Sequence, residues 1–154
     1  MNSNTFRTLE FEAIRALVLS HAGSAAGQAR VEALTPHTEP GAVRAALSRT
    51  TEGTAVLRTL GRQPYHDLPD IGPALTEAGV AGTFLEPLAL SDVASFIEGA
   101  IEIGRRVARA EGAPGLAQLA SGVSDESEIA SAVRRAILPG GEAAGASESP
   151  GSAC

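Results

Sequence analysis

The chain has 154 residues, a net charge of −6 and a single cysteine. That length suits one domain or a piece of a larger one, and 44% hydrophobic residues exclude wholesale disorder. The acidic balance excludes a free-standing nucleic-acid binder held by charge alone, and one terminal cysteine, Cys154, excludes an internal disulfide framework or cysteine zinc site.

No targeting or membrane segment is legible. Met1 to Phe6 is polar, and the apolar stretch Ala16-Leu17-Val18-Leu19 is too short for a signal-peptide core or a membrane span. Glu10 and Glu12 stand where a mitochondrial presequence avoids acids. All twelve basic residues are arginine and alanine is abundant, which reads as a cytoplasmic protein from a GC-rich genome with no membrane partner.

A flexible start, residues 1–7, precedes the first helix. Thr8 is placed to cap it, with Glu10 and Glu12 near its positive end. Phe11, Ile14 and Val18 then repeat at helical spacing, Leu17 widens the stripe, and Ala22-Gly23 ends it. Ser24 opens a second short helix with Ala25 or Ala29, Val31 and Leu34 on its apolar side, halted by Thr35-Pro36. Pro40 starts a third helix running to about Leu60, with Val43, Leu47, Thr50, Thr54 and Leu57 on one face and Gly61 as its stop. Residues 61–86 read as loop with one short helix, capped by Asp70 and tolerating Pro73 in its first turn.

Residues 87–111 form the strongest element. Leu90, Val93, Ile97, Ala100, Ile101, Gly104 and Val107 recur at helical spacing, and a helix of ~25 residues spans ~37 Å. Gly112 and Pro114 break it, a small helical turn covers residues 116–120, and a last helix starts at Asp125. Asp125 and Glu128 have capping-box spacing, and Ile129, Val133 and Ile137 supply the stripe. Residues 143–154 hold no large apolar residue and are expected to be disordered. The fold class is therefore all-α: a helical segment over residues 8–142 with one long helix and a disordered C-terminal tail.

Chemistry is sparse. His21, His37 and His66 are far apart and form no i, i+4 ligand pair, so they read as solvated or capping residues rather than a metal site. His66-Asp67 beside Tyr65 lacks a nucleophile in a recognisable setting and reads as a polar loop. No phosphate loop or dinucleotide fingerprint is present, so no cofactor site or catalytic residue is expected. Arg105 and Arg109 lie four apart on the long helix with Arg106 beside them, and Arg134-Arg135 end the last helix. The plain reading is complementation of helix dipoles. The functional reading of Arg105, Arg106 and Arg109 is a local basic patch touching nucleic-acid phosphates.

Several features in this order resemble the N-terminal region of the MutS type-two family, bacterial MutS paralogues that usually end in an Smr domain. Thr8-Leu9-Glu10-Phe11 matches the family's opening T-L-E-F. The small-residue helix from Ser24 through Gly27 to Leu34-Thr35-Pro36 is similar to its second element. Asp70-Ile71-Gly72-Pro73-Ala74-Leu75 resembles D-I-R-P-x-L, with glycine replacing arginine. Gly82 through Pro87 resembles the G-x-x-L-x-P lead into a long helix, and Ala136 through Glu142 resembles a final helix with a G-G-E turn.

The resemblance implies a core and lever segment of a dimeric MutS-like clamp ATPase that binds branched DNA, suppresses recombination and carries endonuclease activity in its Smr region. ATP and magnesium would belong to the full-length family, whose ATPase and nuclease motifs do not fall within this chain. Two alternatives stand beside it: a part in splitting collided ribosomes, with rRNA as partner, or a generic α-helical interaction module. The module's mark would be a self-contained fold with no exposed apolar edge. The low-complexity run after Glu142 replaces the family's V-x-D-x-A-S-P continuation, and we expect a truncated or frame-shifted product, which sequencing the downstream DNA would test. Gly72 removes whatever the family arginine contributes there.

Overall fold

The computed structural model describes residues 10–137. Among them are seven α-helices: α1 Phe11–His21, α2 Ala25–Glu32, α3 Pro40–Leu60, α4 Gly72–Ala78, α5 Pro87–Ala108, α6 Pro114–Ser121 and α7 Ser127–Ala136, with a 3₁₀ turn at Tyr65–Asp67. The fold is all-α as the periodicities predict. The cap expected at Thr8, the G-G-E turn and the expected disordered tail lie outside the described residues.

The described residues form two compact units, residues 10–67 with Ile103–Val123, and Leu68–Glu102 with residues 124–137. In the first unit α1 packs on α2 and α3 packs on α6. Glu10 adopts a left-handed conformation (φ 51°, ψ 33°) immediately before α1, so it stands outside the first turn rather than within it. Ser24 caps α2 as expected, its Oγ accepting from Gly27 N at 3.1 Å. The Arg15 guanidinium donates to Glu32 O at 3.1 Å, fastening α1 to the end of α2.

Helix α3 begins at Pro40 and stops before Gly61, whose φ of 70° and ψ of −171° suit glycine almost alone. Its covered face matches the expected one only at Val43, which is partly covered. Leu47 is 62% exposed and Leu57, Thr50 and Thr54 are also exposed, whereas Val56 is buried and Ala42, Ala46 and Gly53 are partly covered. The physical reason is that neighbours come close over small side chains: a Cβ at Gly112 would lie 3.7 Å from Ala55 Cβ. The exposed threonines satisfy themselves, with Thr50, Thr51, Thr54 and Thr59 donating to carbonyls four residues back. Helix α1 departs in the same way, since Ile14, Leu17 and Val18 are exposed and Phe11, Arg15 and Leu19 are half-covered.

In the second unit α4 follows an Asx turn in which Asp70 Oδ1 accepts from Gly72 N at 3.0 Å. Asp70 thus orients the start of α4 from one position before Ile71, the residue adjoining the helix. Helix α5 carries the expected stripe on covered positions and adds Ala94, fully buried in this unit. Gly99 makes room for Leu68, whose Cδ2 would stand only 2.5 Å from a Cβ there. The last helix starts at Ser127, not next to Asp125: Asp125 Oδ1 accepts from Ser127 N at 3.2 Å in an Asx turn. Its best-buried residue is Ala130, 2% exposed, while the expected Ile129 faces solvent.

Candidate functional site

The C-terminal part of α5, from Ile103, belongs to the first unit, and there Ile103 and Val107 are buried. Gly104 sits where a Cβ would lie 3.4 Å from Val123 Cβ, so the helix seats closely against the segment after α6. The helix ends at Ala108, three residues before the expected limit, and Arg109 N and Ala110 N close it with i→i−3 bonds to Arg106 O and Val107 O. Arg109 therefore lies in the turn beyond the helix and not on its shaft, because the ladder tightens before Gly112, which has a positive φ of 74°.

The three candidate arginines consequently differ in setting. Arg105 is exposed in the last turn of α5, and Arg109 is exposed in the following turn. Arg106 is half-buried and donates from Nη2 to Leu60 O at 3.3 Å, satisfying a carbonyl at the C-terminal end of α3. It is a cation at a helix terminus, but that terminus is the end of α3 and not that of its own helix.

Two further polar contacts escape any local reading. Glu52, in mid-α3, accepts from Leu116 N through Oε2 at 2.8 Å, so its carboxylate caps the N-terminal turn of α6. In the second unit Arg134 donates to both Glu98 oxygens, at 3.2 and 2.9 Å, and to Ser91 and Ser95 hydroxyls at 3.0 and 2.8 Å. The guanidinium, by its hydrogen bonds first and its charge also, holds the Glu98 carboxyl below the usual carboxylate range against a smaller opposing effect of burial. Arg134 itself is raised, chiefly by the same bonds.

The histidines are partly gathered. His21 and His66 line one cavity of the first unit, while among the described residues no three His, Cys, Asp or Glu side chains cluster as metal ligands. His66 Nε2 lies 3.1 Å from Asp67 Oδ1 with both side chains largely exposed, the geometry of a polar loop. Burial pushes the neighbouring Tyr65 phenol up, so it stays a protonated donor through neutral pH.

These features define a helical protein whose charged side chains, where their bonds are seen, fasten helix to helix and cap helix ends. Among the described residues no helix is long and apolar enough to cross a membrane. The chain is similar to proteins named Endonuclease MutS2. It is 32% identical over 146 residues to that of Geobacillus kaustophilus, covering 92% of this chain but 18% of the relative. It is 38% identical over 93 residues to that of Halalkalibacterium halodurans and 33% identical over 98 residues to that of Lacticaseibacillus casei, in each case over 12% of the relative. The chain is therefore similar to MutS2 proteins over the segment these matches cover, and it spans less than a fifth of the length of those relatives. No family model and no solved structure matches it.

Proposed function

We propose that this chain is a core and lever segment of a cytoplasmic MutS2 clamp acting on branched DNA, with ATPase and nuclease chemistry residing in parts of the family outside the matched segment. The observation carrying this reading is similarity to Endonuclease MutS2 over 92% of the chain. A second feature supports a segment over a self-contained module: Ile14, Leu17, Leu47, Leu57 and Phe84 are all exposed, Phe84 at 89%. Large apolar side chains in solvent at this density suit helices that meet further protein.

Arg105 and Arg109 are the phosphate contacts in this reading, and Arg106 positions the α5 end through Leu60. The chain alone would bind weakly, because its net charge is −6 and few phosphates would be neutralised. The test has two arms, both using fluorescence anisotropy with a four-way junction across a salt series. The isolated chain should bind weakly or undetectably. A Geobacillus relative whose matched segment is replaced by this chain should bind the junction and dimerise, and Arg105→Ala with Arg109→Ala should reduce its salt slope by about 2. A folded chimera that pellets with ribosomes and ignores the junction would overturn the DNA reading.

A further inference from the structure

We propose that this chain pairs with a second copy of itself, the exposed face of α3 in one copy seating on residues 84–92 of the other. The inference takes from the reading above only that exposed apolar side chains mark a contact surface, and it names what covers two groups of them. It is measured without DNA, so either reading can fail alone.

The first surface is the apolar stripe of α3 that the fold leaves in solvent. Leu47, Thr51, Thr54 and Arg58 share one side of the helix, with Arg44 and Leu57 at its edges, and all six are exposed. The hydroxyls of Thr51 and Thr54 are turned back onto Leu47 O and Thr50 O at 3.1 and 3.0 Å, so a partner can cover them without stranding a donor. Glu52 is the only acid of α3, and its carboxylate is held by Leu116 N. This face is therefore apolar in its middle and cationic near both ends, with Arg44 and Arg58 ~21 Å apart along the axis.

The second surface has the opposite sign. Phe84, Glu86 and Leu88 are exposed while Leu85 and Pro87 between them are partly covered, so one side of the lead into α5 reads apolar, acidic, apolar. Asp92 follows Leu88 by four residues on α5 and is exposed on the same side. Thr83 Oγ1 lies 2.7 Å from both Glu77 O and Val80 O, fastening the turn from which Phe84 projects. Between Arg62 and Arg105 the sequence has no lysine or arginine, and Arg134, which reaches α5 from α7, is engaged by Glu98, Ser91 and Ser95. Two copies thus supply each other's complement: Leu47 and Leu57 meet Phe84 and Leu88, while Arg44 and Arg58 face Glu86 and Asp92. Because unlike surfaces are joined, the contact made twice about a twofold axis closes a dimer, and made once it continues into a chain of copies.

Sedimentation equilibrium of the full chain tests this. At low salt the mass should rise from 15.6 kDa to twice that or more over ~10–500 μM, the range suited to a contact at the small end of specific interfaces. Phe84→Ser should weaken association at least about tenfold, the factor for re-exposing one large apolar side chain, and should leave the melt unchanged because the ring is already in solvent. The pair Arg44→Glu with Arg58→Glu and the pair Glu86→Arg with Asp92→Arg should each stay monomeric alone. An equimolar mixture of the two should associate again, since each then carries the charges that the other faces. Circular dichroism confirms that the variants are folded; if either pair unfolds, Phe84→Ser and Leu47→Gln, both in solvent, decide. A monomer at every concentration would overturn the proposal and leave these faces to other protein. Association that survives Phe84→Ser, or a mixture that associates no better than its components, would overturn it equally.

Discussion

Removing the Glu52 carboxylate should loosen the first unit by a calculable amount. Leu116 N loses its acceptor at 2.8 Å, and the N-terminal turn of α6 loses the negative charge facing its dipole. An N-terminal cap is worth about 0.5–2 kcal/mol and the dipole interaction about 0.3–1 kcal/mol, and the two overlap here in one group. Glu52→Ala should therefore cost about 1–2 kcal/mol, and Glu52→Gln, which keeps an acceptor without charge, about 0.3–1 kcal/mol. For a unit of this size 1 kcal/mol moves Tm by roughly 4–8 °C, so melts followed by far-ultraviolet circular dichroism resolve both variants. Gly115 provides an internal check, because a Cβ there would lie 3.0 and 3.1 Å from the two Glu52 oxygens. Gly115→Ala should be less favourable in the wild type than in Glu52→Ala by about 0.5–1 kcal/mol in a double-mutant cycle. If both Glu52 variants melt with the wild type, or the cycle is additive, the capping argument is refuted.

Other outcomes follow from the second unit and from backbone geometry. Arg134→Ala should destabilise by at most about 1 kcal/mol, since the pair with Glu98 is half exposed and screened. The Glu98 carboxyl is depressed in the folded state, so this contribution is complete above the ordinary glutamate range near about 4.3 and disappears as pH falls through the lower folded value. Urea midpoints of wild type and Arg134→Ala should thus differ at neutral pH and converge in acid. Gly61→Ala should cost about 1–3 kcal/mol by urea unfolding, because φ of 70° with ψ of −171° strains any β-carbon. Ala130→Leu should cost about 1–3 kcal/mol by overpacking a site 2% exposed, whereas Leu47→Gln should stay within about 0.5 kcal/mol in the same assay.

The boundaries of the elements were more legible than their inner faces. Ser24, Pro40 and Gly61 act through their own backbone chemistry, so each marks its terminus from local sequence. The stripe of α5 was equally readable, since large apolar residues there occupy covered positions. On α1 and α3 the same rule misleads, because large residues stay exposed while alanine and glycine permit close approach. The arginine patch was visible as spacing, but four-residue spacing does not reveal that α5 ends before Arg109 or that Arg106 serves the end of α3. Glu52 gave no signal, and Arg134 was visible only as a cation ending its own helix, since their partners lie 64 and at least 36 residues away along the chain.

The threonines of α3 have a consequence for how the first unit opens. With Gly53 and four threonines bonded back onto it, α3 has little helical tendency of its own and owes its form to what it packs against. Its amide hydrogens should accordingly have no local refuge: they should exchange with deuterium together, at the rate at which the contacts through Val56, Glu52 and Arg106 release as one cooperative event.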